Sequence, residues 1–123
     1  MRETKPKILI VDDQKDFTRV TKLALTDYEF CEENNSSRAL ATARAFRPDL
    51  ILLDVMMPNL DGGDIAAQLR ADSTLQNIPI VFLTGMVTRQ EAETGPLLGG
   101  FPFISKPVDR EKLVQQIEKY LPI

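Results

Sequence analysis

The feature that most constrains the fold is an alternation of short apolar runs with stretches in which apolar residues recur every three or four positions. The five runs are Lys7–Val11, Glu29–Glu32, Leu50–Leu53, Ile80–Leu83 and Phe101–Ser105. Three of them are continuously apolar, which is typical of parallel strands buried on both faces, and Glu29–Glu32 is the weakest. The alternation predicts a doubly wound α/β sandwich, in which helices cover both faces of a five-stranded parallel sheet.

Four apolar stripes at helical spacing predict which helix faces pack on this sheet. They are Phe17-Val20-Leu23-Ala24, Ala39-Leu40-Ala43-Phe46, Ile65-Ala66-Leu69 and Leu113-Ile117-Tyr120, the last with Val114 beside it.

Capping and helix-breaking residues predict the helix boundaries. Ser36 or Ser37 precedes the second stripe and Asp109 precedes the last, and short polar side chains of this kind cap helix N-termini. Pro48 is expected to end the second helix. Pro58–Gly63 is expected to form a turn.

The stretch after the fourth run departs from the pattern. Thr88–Glu93 has the composition of a helix, but Thr94-Gly95-Pro96 follows directly and Gly99-Gly100 comes soon after. Because proline within a helix removes a hydrogen bond and clashes with the preceding turn, we expect a helix here that is short, kinked or partly loop.

Length and composition narrow the function. The 123 residues allow one domain, which we expect to span residues 1–123. A net charge of −3 argues against direct binding of nucleic acid or of an anionic membrane. No segment approaches the roughly 20 apolar residues of a spanning helix, and the polar Met1–Lys7 is unlike a signal peptide, so we expect a cytoplasmic protein. The single cysteine and the absence of histidine leave carboxylates, hydroxyls, lysine and arginine for any chemistry.

Polar side chains follow the apolar runs where each predicted strand ends. Asp12 and Asp13 follow the first run, Asp54 the third, Thr84 the fourth and Lys106 the last. Because the carboxyl ends of parallel strands share one edge, where ligands bind, we expect these side chains to converge. A divalent cation that prefers oxygen ligands would offset the repulsion among three carboxylates, and Mg²⁺ fits this requirement. An aspartate beside Mg²⁺ is placed to attack a phosphoryl group, while lysine and hydroxyl neutralise its oxygens.

Each of these residues, taken alone, has an ordinary structural explanation. Asp12 or Asp13 can cap a helix, Thr84 can be a turn or capping residue after a strand, and Lys106 can be a solvated surface charge. Asp54 is less ordinary, because a carboxylate directly after a buried apolar run is expected to be half-buried and to need a partner. The joint pattern therefore carries the prediction of a site.

Four motifs occur along the chain in a fixed order: Ile8-Leu9-Ile10-Val11-Asp12-Asp13, Asp49-Leu50-Ile51-Leu52-Leu53-Asp54-Val55-Met56-Met57-Pro58, Ile80-Val81-Phe82-Leu83-Thr84-Gly85 and Phe103-Ile104-Ser105-Lys106-Pro107. Together they resemble the receiver domain of two-component response regulators over essentially the whole length of the chain. The resemblance implies a flavodoxin-like sheet with strand order 2-1-3-4-5 and a phosphorylation-switched signalling function.

The resemblance also implies a metal site and a phosphoacceptor. Asp54 is expected to accept the phosphoryl group. Asp13 would bind Mg²⁺ directly, Asp12 would reach it largely through water, and Met56 would contribute its backbone carbonyl.

Three further residues are expected to respond to phosphorylation. Lys106 would pair with the phosphoryl group or with Asp54, and Thr84 would move towards the phosphoryl oxygens. Phe103 would take the aromatic position that changes rotamer with them, although an ordinary strand residue at this position would look the same. The Lys106-Pro107 bond is expected to be cis.

The implied phosphodonor is a histidine kinase or a histidine phosphotransfer protein, and the chain would catalyse only its own phosphorylation and dephosphorylation. No output domain follows Leu121-Pro122-Ile123 in the sequence. A natural single-domain regulator, a phosphorelay shuttle and a receiver from a longer chain all remain open.

Three other classes of protein fit the sequence less well. A Mg²⁺-dependent phosphohydrolase of the haloacid-dehalogenase type needs a second aspartate where Met56 stands, and its acidic pair comes late in the chain. A flavodoxin-like electron carrier needs a phosphate-cradling loop where Asp12-Asp13-Gln14-Lys15-Asp16 stands. A receiver fold used only as an unphosphorylated interaction module stays open as an alternative, although such a module would have no use for the complete acidic set.

Overall fold

The computed structural model describes residues 4–55, 57–58, 61–84, 97–98, 101–105 and 109–122. The strands of these residues are β1 (Lys7–Val11), β2 (Glu29–Glu33), β3 (Leu50–Asp54), β4 (Ile80–Thr84), β5 (Leu97–Leu98) and β6 (Phe101–Ser105). Their helices are α1 (Lys15–Ala24), α2 (Ala39–Phe46), α3 (Gly62–Ala71) and α4 (Arg110–Tyr120), with a 3₁₀ turn at Ser36–Arg38. All five predicted strands are confirmed, with bounds that differ from the prediction by at most one residue.

The strands form one sheet in the order β2-β1-β3-β4-β6-β5. Neighbours from β2 to β6 are parallel, so the predicted 2-1-3-4-5 order of five parallel strands is confirmed. The two-residue β5 adds an antiparallel edge on β6. Val11 pairs with Leu53, and Leu53 pairs with Phe82, so these three strands end at the same level. The residues that follow them therefore share the carboxyl edge of the sheet.

Successive residues of each strand point to opposite faces of the sheet, and each face has its own core. Ile8 and Ile10 of β1 pack on the face covered by α1 and α4. Leu9 and Val11 pack on the face covered by α2 and α3. A fully buried side chain of this size contributes about 1.5–3 kcal/mol, so burial on both faces fixes the sheet firmly. The prediction of helices on both faces is confirmed.

The predicted core face of α1 is confirmed at Phe17, which is half-buried against the core between the sheet and α1–α4, but is wrong at the other three residues of the stripe. Val20 and Leu23 are 64% and 68% exposed, and Ala24 is also exposed. The buried residues of α1 are Thr18 and Thr21. Their hydroxyls keep hydrogen-bond acceptors on burial: the backbone oxygen of Phe17 accepts from Thr21, and the hydroxyl of Thr18 lies within reach of both the backbone oxygen of Lys15 and Oε1 of Glu32. The packed face of α1 therefore combines Phe17 with two threonines, and the rest of the apolar stripe faces solvent.

The other three stripes are confirmed. Ala39 and Ala43 of α2, Leu69 of α3 and Ile117 of α4 are all buried. At the start of α4, Asp109 caps the helix as predicted, with its carboxylate accepting from the backbone N–H of Lys112 at 2.9 Å.

The cap predicted before α2 is wrong. Asn35, not Ser36 or Ser37, is the capping residue of the 3₁₀ turn that leads into α2, since its side chain accepts from the backbone N–H of Ser37 at 3.0 Å. Ser36 is buried instead, and its hydroxyl donates to the backbone oxygen of Pro58 at 2.8 Å.

The turn predicted over Pro58–Gly63 is too long at its C-terminal end. Gly62 and Gly63 form the first turn of α3, which Asp61 and Asp64 begin with a reciprocal capping box. Asp61 supplies the acceptor for an N-terminal N–H of the helix, so the two glycines are held in helical conformation despite their low helix propensity.

The helix predicted over Thr88–Glu93 lies outside the described residues. Nearby, Leu97 and Leu98 are described, and they form strand β5. None of the helices in the described ranges has the length and apolar character needed to cross a bilayer.

Candidate metal centre

Three carboxylates meet at the carboxyl edge of the sheet. Asp54 is the last residue of β3 and is 5% exposed. Asp12, directly after β1, is fully buried, and Asp13 beside it is exposed. One oxygen atom from each of the three lies within 4.8 Å of the others. The structure thus brings together the acidic residues that the strand ends predict.

Hydrogen bonds beyond the strands hold these residues in place. The backbone N–H of Asp12 donates to the oxygen of Glu33 at 3.1 Å, which continues the pairing of β1 with β2. The backbone N–H of Val55 donates to the oxygen of Leu83 at 3.1 Å, which continues the pairing of β3 with β4 past Asp54. Both acidic positions therefore lie on rigid backbone.

The carboxylate of Asp12 is itself oriented by the chain that follows it. Its Oδ1 accepts from the backbone N–H of Gln14 at 2.9 Å, in the manner of an Asx turn. This contact sets the direction in which Asp12 faces the other two acids.

Gly62 allows α3 to approach the site closely. Its backbone N–H donates to the oxygen of Val55 at 2.9 Å. A Cβ at this position would lie 2.5 Å from the backbone oxygen of Asp54 and 2.9 Å from the Cα of Val55. Sequence reasoning assigned Gly62 to a turn and missed this role, which only the packing of α3 against the end of β3 reveals.

The charge of the cluster indicates what it can bind. Two carboxylates 4.8 Å apart repel by about 3–4 kcal/mol at an effective dielectric constant of 20. The ligand atoms are all oxygen. Mg²⁺ prefers oxygen ligands, whereas softer metal ions prefer sulfur or nitrogen. The residues therefore fit a hard divalent cation.

The remaining predicted residues are described unevenly. Thr84 ends β4 and pairs with Ser105, which places its backbone at the same edge of the sheet. Phe103 of β6 pairs with Phe82 and is half-buried against the core between the sheet and α2–α3. Met56, Lys106 and the Lys106-Pro107 bond lie outside the described residues.

An open cavity of about 550 Å³ lies beside Asp13. The end of β2 and the loop after it form much of its wall through Glu33, Asn34 and Ser36, and Pro58 contributes from the loop after β3. Of the three acids, Asp13 lines this cavity, whereas Asp12 and Asp54 are buried.

A doubly wound parallel sheet with an acidic cluster at its carboxyl edge defines a class of α/β proteins that bind charged ligands at the strand ends. Comparison with known proteins shows which family within this class the chain resembles. Residues 8–118 match the family model of the response regulator receiver domain. The probable transcriptional regulator ycf27 of Pyropia yezoensis is 35% identical over 123 residues, which cover 98% of this chain and 49% of the relative.

Two further matches agree. Response regulator PleD of Caulobacter vibrioides is 36% identical over 113 residues, covering 90% of this chain and 25% of PleD. The crystal structure of chemotaxis response regulator CheY4 of Vibrio cholerae superposes with a TM-score of 0.82 at 29% identity, covering 96% of this chain and 100% of that one.

The chain belongs to the response regulator receiver domain family of two-component signal transduction. The resemblance inferred from the four motifs is confirmed, and with it a role in signalling by phosphoryl acceptance. The chain spans about half the length of ycf27 and a quarter of PleD.

Proposed function

We propose that Asp54 accepts a phosphoryl group from a histidine kinase or a histidine phosphotransfer protein in a Mg²⁺-dependent reaction, and that residues 1–123 act as one phosphorylation-switched receiver. The observation that carries the proposal is the gathering of Asp12, Asp13 and Asp54 within 4.8 Å at the carboxyl edge of the sheet. Asp54 is the natural acceptor because it is fixed at the end of a fully buried strand.

In the proposed reaction a carboxylate oxygen of Asp54 attacks the phosphorus atom of the donor. The bond between phosphorus and the donor's histidine nitrogen breaks, and the electron pair returns to the imidazole. The product is an acyl phosphate on Asp54.

The other acidic residues prepare the site for this attack. Asp12, Asp13, Asp54 and the backbone carbonyl of Met56 would hold Mg²⁺, which when bound supplies positive charge against the phosphoryl oxygens. Asp12 keeps its orientation through Gln14, and Asp54 keeps its position through the strand pairs on either side. The reacting carboxylate is thereby held in place before the donor arrives.

Phosphorylation would then change the charge at the edge of the sheet. An added phosphoryl group brings about −1.5 to −2 charge. This charge attracts Lys106 and the hydroxyl of Thr84, and Phe103 responds to the movement by packing alone, since it lacks a phenolic hydroxyl. The shift in population of these positions is the proposed output signal.

Intact mass spectrometry after incubation with acetyl phosphate and Mg²⁺ tests the proposal. The wild-type protein should gain the mass of one phosphoryl group, and chelation of Mg²⁺ should prevent the gain. Asp54→Asn should gain nothing.

Asp49→Asn is the matched control. Asp49 is an exposed aspartate that precedes β3, at the opposite edge of the sheet from Asp54. Asp49→Asn should therefore be labelled like the wild type. Equal labelling of the Asp54→Asn and wild-type proteins would overturn the assignment of the acceptor.

A further inference from the structure

Asn34, which directly follows β2, uses its side-chain amide to join two other parts of the chain. Its Nδ2 atom donates to the backbone oxygen of Asp12 at 2.8 Å and to the hydroxyl of Thr18 at 3.0 Å. An amide nitrogen carries two hydrogens, so both contacts form at once. Asn34 therefore links the end of β2 to the end of β1 and to the first turn of α1.

Thr18, which accepts from Asn34, in turn donates a hydrogen bond to Glu32. Thr18 is fully buried, and its hydroxyl lies 2.8 Å from Oε1 of Glu32, to which it donates. Arg19 approaches the other oxygen of the same carboxylate at 4.0 Å. The backbone oxygen of Lys15 is a second acceptor for the one hydrogen of the Thr18 hydroxyl, but it lies farther away, at 3.1 Å. With that hydrogen directed to Glu32, the hydrogen bonds run from Asn34 through Thr18 to Glu32, and each strengthens the next in a partly buried setting.

The contact with Asp12 is placed where it affects the metal centre. The backbone oxygen of Asp12 belongs to the peptide group that joins Asp12 to Asp13. A hydrogen bond to that oxygen fixes the plane of the peptide, and with it the relative direction of the two carboxylates. Because Gln14 already holds the carboxylate of Asp12, Asn34 supplies the second restraint on this segment.

We infer that Asn34 is a positioning residue for the metal centre, which it serves by fixing the Asp12–Asp13 peptide group against α1 through Thr18. The inference rests on the proposed function of Asp12 and Asp13 as Mg²⁺ ligands. Alanine at position 34 leaves the two carboxylates in place but frees the peptide group between them.

Calorimetric titration with Mg²⁺ measures the expected effect. Residues that orient metal ligands typically change affinity by about ten- to a hundredfold when they are replaced. Asn34→Ala should weaken Mg²⁺ binding by at least about tenfold on this scale. Thr18→Val, which removes the hydroxyl that shares the amide, should weaken binding less.

Asn35→Ala is the matched control, because Asn35 is the next residue and its side chain caps the 3₁₀ turn without touching Asp12. It should bind Mg²⁺ within about twofold of wild type. Amide hydrogen exchange of the metal-free proteins gives a second readout. The amides of Asp13 and Gln14 should exchange faster than in wild type in Asn34→Ala and at the wild-type rate in Asn35→Ala.

The rate of phosphorylation by acetyl phosphate separates a positioning role from general damage. If Asn34 acts through the metal centre, Asn34→Ala should react slowly at low Mg²⁺ and approach the wild-type rate at saturating Mg²⁺. A loss that saturating Mg²⁺ leaves unchanged would overturn the inference. So would a Mg²⁺ affinity of Asn34→Ala equal to that of wild type.

Asp13→Ala distinguishes failure of this inference from failure of the proposed function. If Asp13→Ala loses Mg²⁺ affinity and Asn34→Ala does not, only the role of Asn34 is wrong. If Asp13→Ala binds Mg²⁺ as wild type does, the proposed metal centre is wrong and the role of Asn34 fails with it.

Discussion

Carboxylates lie at both edges of the sheet, but their neighbours differ. At the amino edge, Asp72 accepts from Arg44 through Nε and lies 2.7 Å from its Nη2, and it also accepts from the backbone and hydroxyl of Thr74. Asp49, at the same edge, accepts from the backbone N–H of Lys7 at 2.9 Å. At the carboxyl edge, the three acids of the metal centre lie within 4.8 Å of one another.

The difference separates a carboxylate paired within the fold from those proposed to bind Mg²⁺ and to accept the phosphoryl group. Hydrogen bonds from the hydroxyl and backbone of Thr74, and to a lesser extent from Arg44, lower the pKa of Asp72 to about 2. The folded chain therefore stabilises the negative charge of Asp72 by its own contacts. At the carboxyl edge, three acids lie within 4.8 Å of one another at the ends of β1 and β3. Bringing like charges this close costs free energy that a bound cation would offset. The sheet thus concentrates negative charge at the edge where a cation and a phosphoryl group are proposed to bind.

The largest effect on stability is expected from Gly62→Ala, which tests how closely the carboxyl edge is built around Asp54. The new Cβ would meet the backbone oxygen of Asp54 at 2.5 Å. Overpacking against backbone should lower the free energy of unfolding by about 3 kcal/mol, measured by urea denaturation.

Gly63→Ala is the control for Gly62→Ala, because among the described residues its Cβ would come close to a flexible side chain, at 3.2 Å from Oδ1 of Asp61, and not to backbone. Its effect should stay within about 0.5 kcal/mol, since alanine also favours the helix. Equal losses in the two variants would show that α3 does not depend on close approach at Gly62.

A smaller effect, of opposite sign, is expected when one acid of the carboxyl edge is neutralised. In Mg²⁺-free buffer at low salt, Asp13→Asn should raise the free energy of unfolding by about 0.5–1 kcal/mol, because repulsion within an exposed cluster is relieved but screened by solvent. Asp72→Asn at the amino edge should lower it, since it removes a charged partner of Arg44. Destabilisation by both substitutions would remove the contrast between the two edges.

The smallest expected effect is a change with pH in the contribution of Asp72, at the amino edge, to the free energy of unfolding. The pKa of Asp72 is lower in the folded chain than its ordinary value of 3.8, so the folded state holds fewer protons than the unfolded state between about pH 4 and about pH 2. The stability that Asp72 contributes is therefore complete above pH 4 and is lost as the pH falls through this window.

Urea denaturation of wild type and Asp72→Asn at pH 5 and at pH 2.5 measures this contribution. The difference in unfolding free energy between the two proteins should be larger at pH 5. A difference that does not change with pH would contradict the role of Asp72 as a charge paired in the folded state.

The fold could be predicted largely because burial on two faces leaves a direct trace in sequence. Strand β3 is apolar from Leu50 to Leu53, and the polar residue at its end, Asp54, is one of those that meet at the carboxyl edge. Apart from Phe17, the stripe on α1 misled the prediction because Thr18 and Thr21 satisfy their hydroxyls internally and replace the apolar side chains on the packed face.

The acidic residues of the candidate site could be predicted from the sequence, but the contacts that hold them in place could not. Asp12, Asp13 and Asp54 follow from strand ends alone. The bond from Asn34 to Asp12 joins residues 22 apart in sequence, and no periodicity encodes a polar contact of that kind. The close approach of Gly62 likewise depends on how a helix packs, which local sequence does not specify.

Chemical mapping of the phosphorylated residue asks directly whether the acidic edge turns one aspartate into an acceptor. The protein is phosphorylated with acetyl phosphate and Mg²⁺, the acyl phosphate is reduced with borohydride to homoserine, and the peptides are sequenced by mass spectrometry. We expect homoserine at position 54 and at none of the other aspartate positions. Homoserine at position 12, 13 or 49, with aspartate intact at position 54, would contradict the proposed site.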